Sequence, residues 1–309
     1  MKTSNDYPIG TVNQKWNACD KALWLSTQSV KRSYHDEVLV KLELLKQEFD
    51  IEEYGALSYE PEKYPLFIAK TRGWMKHKPF VLITGGVHGY ETSGVQGALR
   101  FLKTAAFEYS EHFNLVIAPC VSPWGYETIN RWNPYTIDPN RSFKADGEAE
   151  EALLLMKYLN TLEVKFTVHI DLHETTDTDN SEFRPALAAR DNIHQPHWDI
   201  PDGLYLVGDS EKPVHDFQTA IINGVSEVTH IAPSDENGKI IGVKATQNGV
   251  INYEISQLGL ATSMTDCTYS TTTEVYPDSP KTNDETCIQA QVAAVCSGLD
   301  YVLQQKTTK

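Results

Sequence analysis

The sequence predicts a three-layer α/β/α domain with a mixed, largely parallel central sheet. Short β-type runs alternate with amphipathic helical segments from about residue 36 onward, the pattern of an open sheet covered by helices. Several of those runs end in glycine or in His, Asp and Glu, where strands of such a sheet pass into functional loops. A chain of 309 residues is also long enough to bury the core this architecture needs.

Residues 1–35 show no sustained periodicity and read as an N-terminal extension. In HDEVLVKLELLKQEF (35–49), Val38, Leu42, Leu45 and Phe49 fall on one stripe, which predicts the first helix. PLFIAKT (65–71) and PFVLITGG (79–86) read as strands, and a helix follows from Thr92 with Val95, Leu99 and Leu102 on its apolar side. Next come strand FNLVIAPC (113–120), an irregular loop, helix EAEEALLLMKYLN (148–160) and strand KFTVHIDLH (165–173). Residues 175–250 mix a polar stretch rich in His, Pro and Asp (191–202) with a strand at 203–209 and a helix near 213–223, read as excursions from the same domain. Strand TYSTTTEVY (268–276) and a helix at 285–304 close the pattern, and no linker divides 36–309, which reads as one catalytic domain.

Composition narrows the function. No apolar stretch approaches the roughly 18 residues of a membrane span, so no membrane partner is expected. A net charge of −15 without a local basic patch argues against nucleic acid. Five cysteines form no CxxC pair, and the opening MKTSNDYPIG lacks the apolar run of a secretory leader, so a reduced, cytoplasmic protein is expected. The oligomeric state is not set by these features.

Four segments carry chemistry. In GGVHGYETSG, His88 and Glu91 sit three apart beyond an apolar strand, an imidazole and a carboxylate that suit zinc; alone, the pair more often describes a loop histidine beside a helix-starting glutamate. In HIDLHETTDT, His169, Asp171 and His173 alternate and face one way, with His173 at the strand tip. His88, Glu91 and His173 together make a three-ligand site for one Zn2+ with a position left for water. The loop SPWGYETINRWNPYTIDPNRSF holds Arg131 and Arg141, two of only seven arginines. One guanidinium can stabilise an oxyanion and another can pair with a substrate carboxylate, while Asp138 can accept the free ring N–H of His88. On the β-branched run TYSTTTEVY, Glu274 is the only acid, a candidate general base; Glu254 in VINYEIS is its rival.

Taken together, these segments resemble the M14 metallocarboxypeptidases, whose order is HxxE, an Arg, an Asn-Arg pair, a His and then a Glu. RWNPYTIDPNRSF is similar to the RxNxxGxDxNRxF pattern of bacterial members, SPWGYE to their Asn-Pro-Asp-Gly-aromatic loop, and TYSTTTEV to the strand of the catalytic glutamate. The resemblance covers about residues 36–304. It implies a zinc carboxypeptidase-like fold, one zinc ion on His88, Glu91 and His173, Glu274 as base, Arg131 as electrophilic stabiliser, and Asn140 with Arg141 as clamp for a terminal carboxylate. Departures accompany it. The 101-residue spacing from His173 to Glu274 is long, which implies an insertion at the rim. Tyr253 stands in poor register for the substrate-capping tyrosine, and Thr265 occupies the specificity position.

HGYET and DLHET resemble the N-acyl amino acid deacylases of the aspartoacylase and succinylglutamate desuccinylase type at least as well. Those enzymes carry a β-rich domain after their glutamate, whereas 35 residues follow Glu274 here, so the carboxypeptidase-type reading is preferred. A non-catalytic metal-binding protein is the third reading. The substrate expected is a peptide or an acyl amino acid.

Overall fold

The structure is a computed structural model that describes residues 7–195 and 199–307, so the first six residues and part of the polar 191–202 stretch lie outside the description. The first helix, α1 (Ala18–Ser26), starts at Asn17, whose side chain and that of Asp20 form a capping box. The stripe at 35–49 forms a π-turn (His35–Leu39) and a short α2 (Val40–Leu44), shorter than predicted. Phe49 instead opens β1 (Phe49–Ala56), because this segment pairs antiparallel with β2 (Pro65–Thr71) and keeps Phe49 buried. Tertiary pairing here overrides helical spacing.

The remaining elements follow the predicted alternation. They are β3 (Phe80–Gly85), α3 (Thr92–Thr104), α4 (Ala106–Tyr109), β4 (Asn114–Ala118), α5 (Pro123–Thr128), α6 (Glu150–Thr161) and β5 (Phe166–Glu174). After them come α7 (Arg184–Asp191), β6 (Tyr205–Asp209), α8 (His215–Ser226), a hairpin of β7 (Lys239–Ile240) and β8 (Val243–Lys244), β9 (Val250–Tyr253), α9 (Ile255–Leu258), β10 (Tyr269–Val275) and α10 (Asp284–Thr307). The sheet order is β1-β2-β4-β3-β5-β10-β6-β9. Its centre, β4-β3-β5-β10, is parallel, and the antiparallel pairings are β1/β2, β2/β4 and β10/β6.

Alternation along the strands feeds two large cores and a small third one of Tyr205, Val207, Ala232, Ile240 and Ile251. Val81, Ile83, Leu115, Ile117, Ile170 and Leu172 belong to the large core that includes residues of α3, α8 and α10, whereas Leu82, Val116 and Ala118 meet Ala152, Leu155 and Leu159 of α6. This is the three-layer architecture expected. No helix among the described residues is long and apolar enough to cross a membrane.

The N-terminal segment lies against the body of the molecule. Trp16 and Trp24 are buried, and Trp24 packs on Trp124 and Trp132 with ring centroids 6.2 and 5.6 Å apart. Arg32 then reaches behind the β3–α3 loop, donating to the carbonyls of Tyr126 (2.6 Å) and Gly89 (2.9 Å) and to the hydroxyl of Thr92 (2.6 Å). Trp24→Ala is therefore expected to lower the unfolding free energy by about 3–5 kcal/mol, read from urea denaturation. A loss below about 1 kcal/mol would show that this segment contributes little to the core.

Candidate functional site

The chain leaves β3 through Gly85 and Gly86, and Gly86 takes φ +61°, a left-handed conformation that suits glycine. A Cβ on Gly89 would meet the amide nitrogen of Tyr126 at 2.1 Å, so only glycine lets the loop lie this close to α5. The turn brings His88 and Glu91 to the carboxyl edge of the sheet. Glu91 immediately precedes α3, where an acid would ordinarily cap the helix. That task falls to Glu174, whose carboxylate accepts from the amides of Thr92 (3.1 Å) and Ser93 (2.6 Å). The Glu91 carboxylate is thereby left for other partners. Burial pushes the Glu174 carboxyl up to about 7, although its bonds to Ser93 oppose the shift.

Those other partners are two imidazoles. Glu91 Oε1 lies 2.8 Å from His88 Nδ1, and Oε2 lies 2.7 Å from His173 Nδ1. The far nitrogens face aspartates: His88 Nε2 is 2.9 Å from Asp138 and His173 Nε2 is 2.7 Å from Asp171. Asp171 in turn accepts from Thr84 Oγ1 at 2.6 Å, and Thr84 contacts His169 Nε2 at 3.1 Å. Burial lowers the His169 pKa to about 4, with Asp171 opposing in part, so this imidazole is neutral.

The arrangement fits a divalent metal. Glu91 Oε2 and His173 Nδ1 are buried without a hydrogen-bond partner although they are 2.7 Å apart, because their geometry is not that of a hydrogen bond. One ligand atom from each of His88, Glu91 and His173 comes within 4.8 Å of the others, a two-nitrogen, one-oxygen donor set suited to zinc. Aspartates on the outer nitrogens turn both inner nitrogens toward the common point. Burial opposes charge on His173, but Asp171 and Glu91 outweigh it and hold its pKa well above the usual histidine range. For Glu91, burial is likewise outweighed, by His173 and His88, and the pKa falls to about 2.

The 131–141 loop supplies the wall. Asp138 accepts from His88, from Arg131 Nε (3.0 Å) and from the amide of Asn140 (2.9 Å). Arg131 also lies 3.5 Å from Asp179, which sequence reasoning missed and which additionally accepts from Tyr90 Oη at 3.1 Å. Asn140 is buried and its Oδ1 accepts from the amide of Ala261 at 2.8 Å, fixing the segment after α9. Arg141 is open to solvent within the cleft, and its Nη1 donates to the carbonyl of Asn140 at 2.6 Å.

Glu274 completes the inner cleft. Parallel register sets it beside His173, and antiparallel register sets it beside Tyr205 of β6. Thr175 Oγ1 donates to Glu274 at 2.8 Å and contacts Tyr205 Oη at 2.8 Å. Burial, with Glu91 adding and His173 opposing, pushes the Glu274 carboxyl up to about 8. Glu254 is exposed and does not line the cleft, whereas Glu274 does. Its neighbour Tyr253 does line it. Thr265 does not: it contacts His169 Nδ1 at 3.0 Å, inside the wall. The cleft measures about 720 Å3 and is lined by His88, Glu91, Arg131, Asp138, Asn140, Arg141 and Glu274 among others. Asp171 was visible on the alternating strand, whereas Thr175, Asp179, Arg184 and Tyr205 had no sequence signal strong enough to single them out.

Residues 77–199, less than half of the chain, match the family model described as succinylglutamate desuccinylase/aspartoacylase catalytic domain. The match takes in His88, Glu91, Arg131, Asp138, Asn140, Arg141 and His173 and ends before Glu274. No curated protein matches the chain. Among solved structures, a provisional metallopeptidase of Shewanella amazonensis superposes with a TM-score of 0.64 at 19% identity, over 89% of this chain and 98% of that one. A metallo-carboxypeptidase of Burkholderia cenocepacia gives 0.59 at 16% identity, over 86% and 68%. Bovine thrombin-activatable fibrinolysis inhibitor gives 0.57 at 14% identity, over 95% and 99%. At these identities the likeness establishes the fold, a carboxypeptidase-like α/β architecture.

Two outcomes follow from the electrostatics. Binding a metal at His173 Nδ1 displaces a proton, so metal retained after dialysis is expected to fall as pH drops from 7.5 to 5; pH-independent retention would place the metal elsewhere. For metal-free protein, a Glu274 pKa raised above its unfolded value costs nothing at low pH and destabilises progressively as pH rises from about 4.5 toward 8. Glu274→Gln is therefore expected to be more stable than the parent by up to about 4 kcal/mol at pH 8.5 and nearly equal at pH 5. Equal urea midpoints at both pH values would contradict the burial of this acid.

Proposed function

We propose that the protein is a zinc-dependent hydrolase that releases a C-terminal amino acid from a peptide. The observation that carries the reading is the convergence of three elements on one cleft: the His88–Glu91–His173 donor set, Glu274 next to His173, and Arg141 open to solvent in the wall. His88, Glu91 and His173 would hold the zinc, which when bound would supply a water of lowered pKa and polarisation of a carbonyl oxygen.

The chain's own residues supply the rest. Glu274 in its ionised form takes a proton from the attacking water as oxygen adds to the amide carbon. It then delivers that proton to the leaving nitrogen as the C–N bond breaks, giving a carboxylate and a free amine. Thr175, bonded to Glu274 and in contact with Tyr205, holds the carboxylate oriented. Arg131 faces the same cleft as the stabiliser of developing negative charge, held in place by Asp138 and Asp179. Arg141, with the amide N–H2 of Asn140, receives the terminal carboxylate.

A second reading, hydrolysis of an N-acyl amino acid, is favoured by the family match over the ligand loops. Both reactions release an amine that carries a carboxylate, so one clamp serves either. They are separated by comparing free-acid peptides, the same peptides amidated, and N-acyl amino acids.

Glu274→Ala is expected to retain zinc and lose about 10^2- to 10^4-fold in kcat, whereas His173→Ala loses both metal and activity, checked by metal analysis beside kinetics. Wild-type activity in Glu274→Ala would remove this residue from the reaction. Amidating the C-terminus is expected to depress kcat/KM strongly, and equal rates on both forms would overturn the clamp role of Arg141.

A further inference from the structure

We infer that His169 is a positioning residue for the metal centre: acting through Thr84, it holds Asp171 so that His173 keeps its hydrogen on Nε2 and presents Nδ1 to the ion. The inference rests on the metal site of the reading above and extends it into the wall behind the ligands.

The residues involved form an unbroken line. His169, Asp171 and His173 lie on one face of β5, and parallel register sets Thr84 of β3 beside Asp171. All four are fully buried. His173 Nε2 lies 2.7 Å from Asp171 Oδ2, and Thr84 Oγ1 lies 2.6 Å from Asp171 Oδ1 and 3.1 Å from His169 Nε2. His169 Nδ1 in turn lies 3.0 Å from Thr265 Oγ1. Thr265 is half-buried and follows the turn Ala261–Met264, whose first amide is fixed by Asn140. The line thus joins a metal ligand to a hydroxyl that does not line the cleft.

Counting hydrogens gives the line a direction. A carboxylate has none to donate, so the Thr84 hydroxyl spends its one hydrogen on Asp171. It can then meet His169 only as an acceptor, which requires the hydrogen of this neutral ring to sit on Nε2. Nδ1 is left to accept from the Thr265 hydroxyl, whose other contacts, the Thr262 carbonyl at 3.5 Å and Cys267 Sγ at 3.6 Å, are longer. The Thr262 carbonyl also acts on the ring and favours the opposite tautomer. That tautomer would turn the Thr84 hydroxyl toward His169 and leave Thr84 Oγ1 and Asp171 Oδ1 2.6 Å apart with no hydrogen between them. Every donor therefore points toward Asp171. One carboxylate oxygen is held by Thr84, so the other stands fixed against His173 Nε2, and the lone pair of Nδ1 faces the cluster with His88 and Glu91. A fully satisfied polar line specifies one geometry, whereas an unsatisfied link in it would be costly.

The test compares zinc affinity of the full chain, by competition with a chromophoric chelator, with the urea stability of metal-free protein. His169→Asn keeps an acceptor for Thr265 but loses the donor to Thr84, whereas His169→Gln places an amide N–H2 near the Nε2 position. His169→Asn and Thr84→Val are each expected to weaken zinc binding about 10- to 100-fold, and their combination no more than either alone. His169→Gln and Thr84→Ser are expected to recover most of the affinity. Wild-type affinity in His169→Asn and Thr84→Val overturns the inference, as do losses that add in the double variant or that merely track stability with Gln no better than Asn. Should these variants fail to fold, long-range 1H–15N spectra of the metal-free wild type decide, with His169 assigned by its shift in Thr265→Val. A neutral His169 ring bearing its hydrogen on Nε2 supports the line, and a hydrogen on Nδ1 overturns it. Wild-type protein that binds no zinc defeats the metal reading separately, and the same spectra then judge the order of the line.

Discussion

A single carboxylate wedged between two imidazoles organises the site. Glu91 lies within 2.8 Å of both His88 Nδ1 and His173 Nδ1, and all three side chains are buried. Asp138 and Asp171 back the two rings, so three carboxylates surround two imidazoles, and Arg131, paired with Asp138, and the protonated His173 offset only part of their charge, even before Asp179 is counted. Such a buried excess of negative charge is costly unless a positive charge completes it. A divalent ion satisfies that requirement and the two unpartnered atoms together, which is why the geometry of the surrounding loops is best understood as holding ligands in place.

The sheet acts as the ruler for that geometry. Parallel pairing sets Thr84 beside Asp171 and His173 beside Glu274, so a one-residue slip in either ladder would turn the functional side chains to the opposite face. The α3 helix contributes in a different way. Its first amides are met by Glu174, which leaves Glu91 uncommitted at the very point where the helix field would otherwise claim it. Arg32 and the tryptophan cluster then brace the same loop from behind.

Sequence made some of this legible and hid the rest for identifiable reasons. Strands at 65–71 and 269–275 were read nearly to their ends because β-branched runs bounded by turn residues are strong local signals. The helix at 35–49 was read too long, since Phe49 is apolar in both the helical and the extended pattern and only its pairing with Thr71 decides between them. His88, Glu91 and His173 are legible as a candidate metal set because separated segments agree on them, the HxxE spacing alone being weak, and the structure gathers them into one buried cluster. Thr175 and Asp179 are not, because their place in the cleft lining depends on how the residues following β5 fold back over it, a long-range fact. Glu254 and Glu274 looked alike as acids in apolar runs; burial separates them.

The strand that bears Glu274 follows the other described strands of the sheet in sequence and yet lies in its interior, between β5 and β6. During vectorial synthesis the earlier strands therefore emerge with a gap that their own sequence cannot close. Until β10 inserts, β5 and β6 have unpaired edges, and His169, Asp171 and His173 lie on an open border. Insertion of β10 and assembly of the cleft are thus coupled, because Glu274 reaches the side of His173 only when this strand threads between β5 and β6.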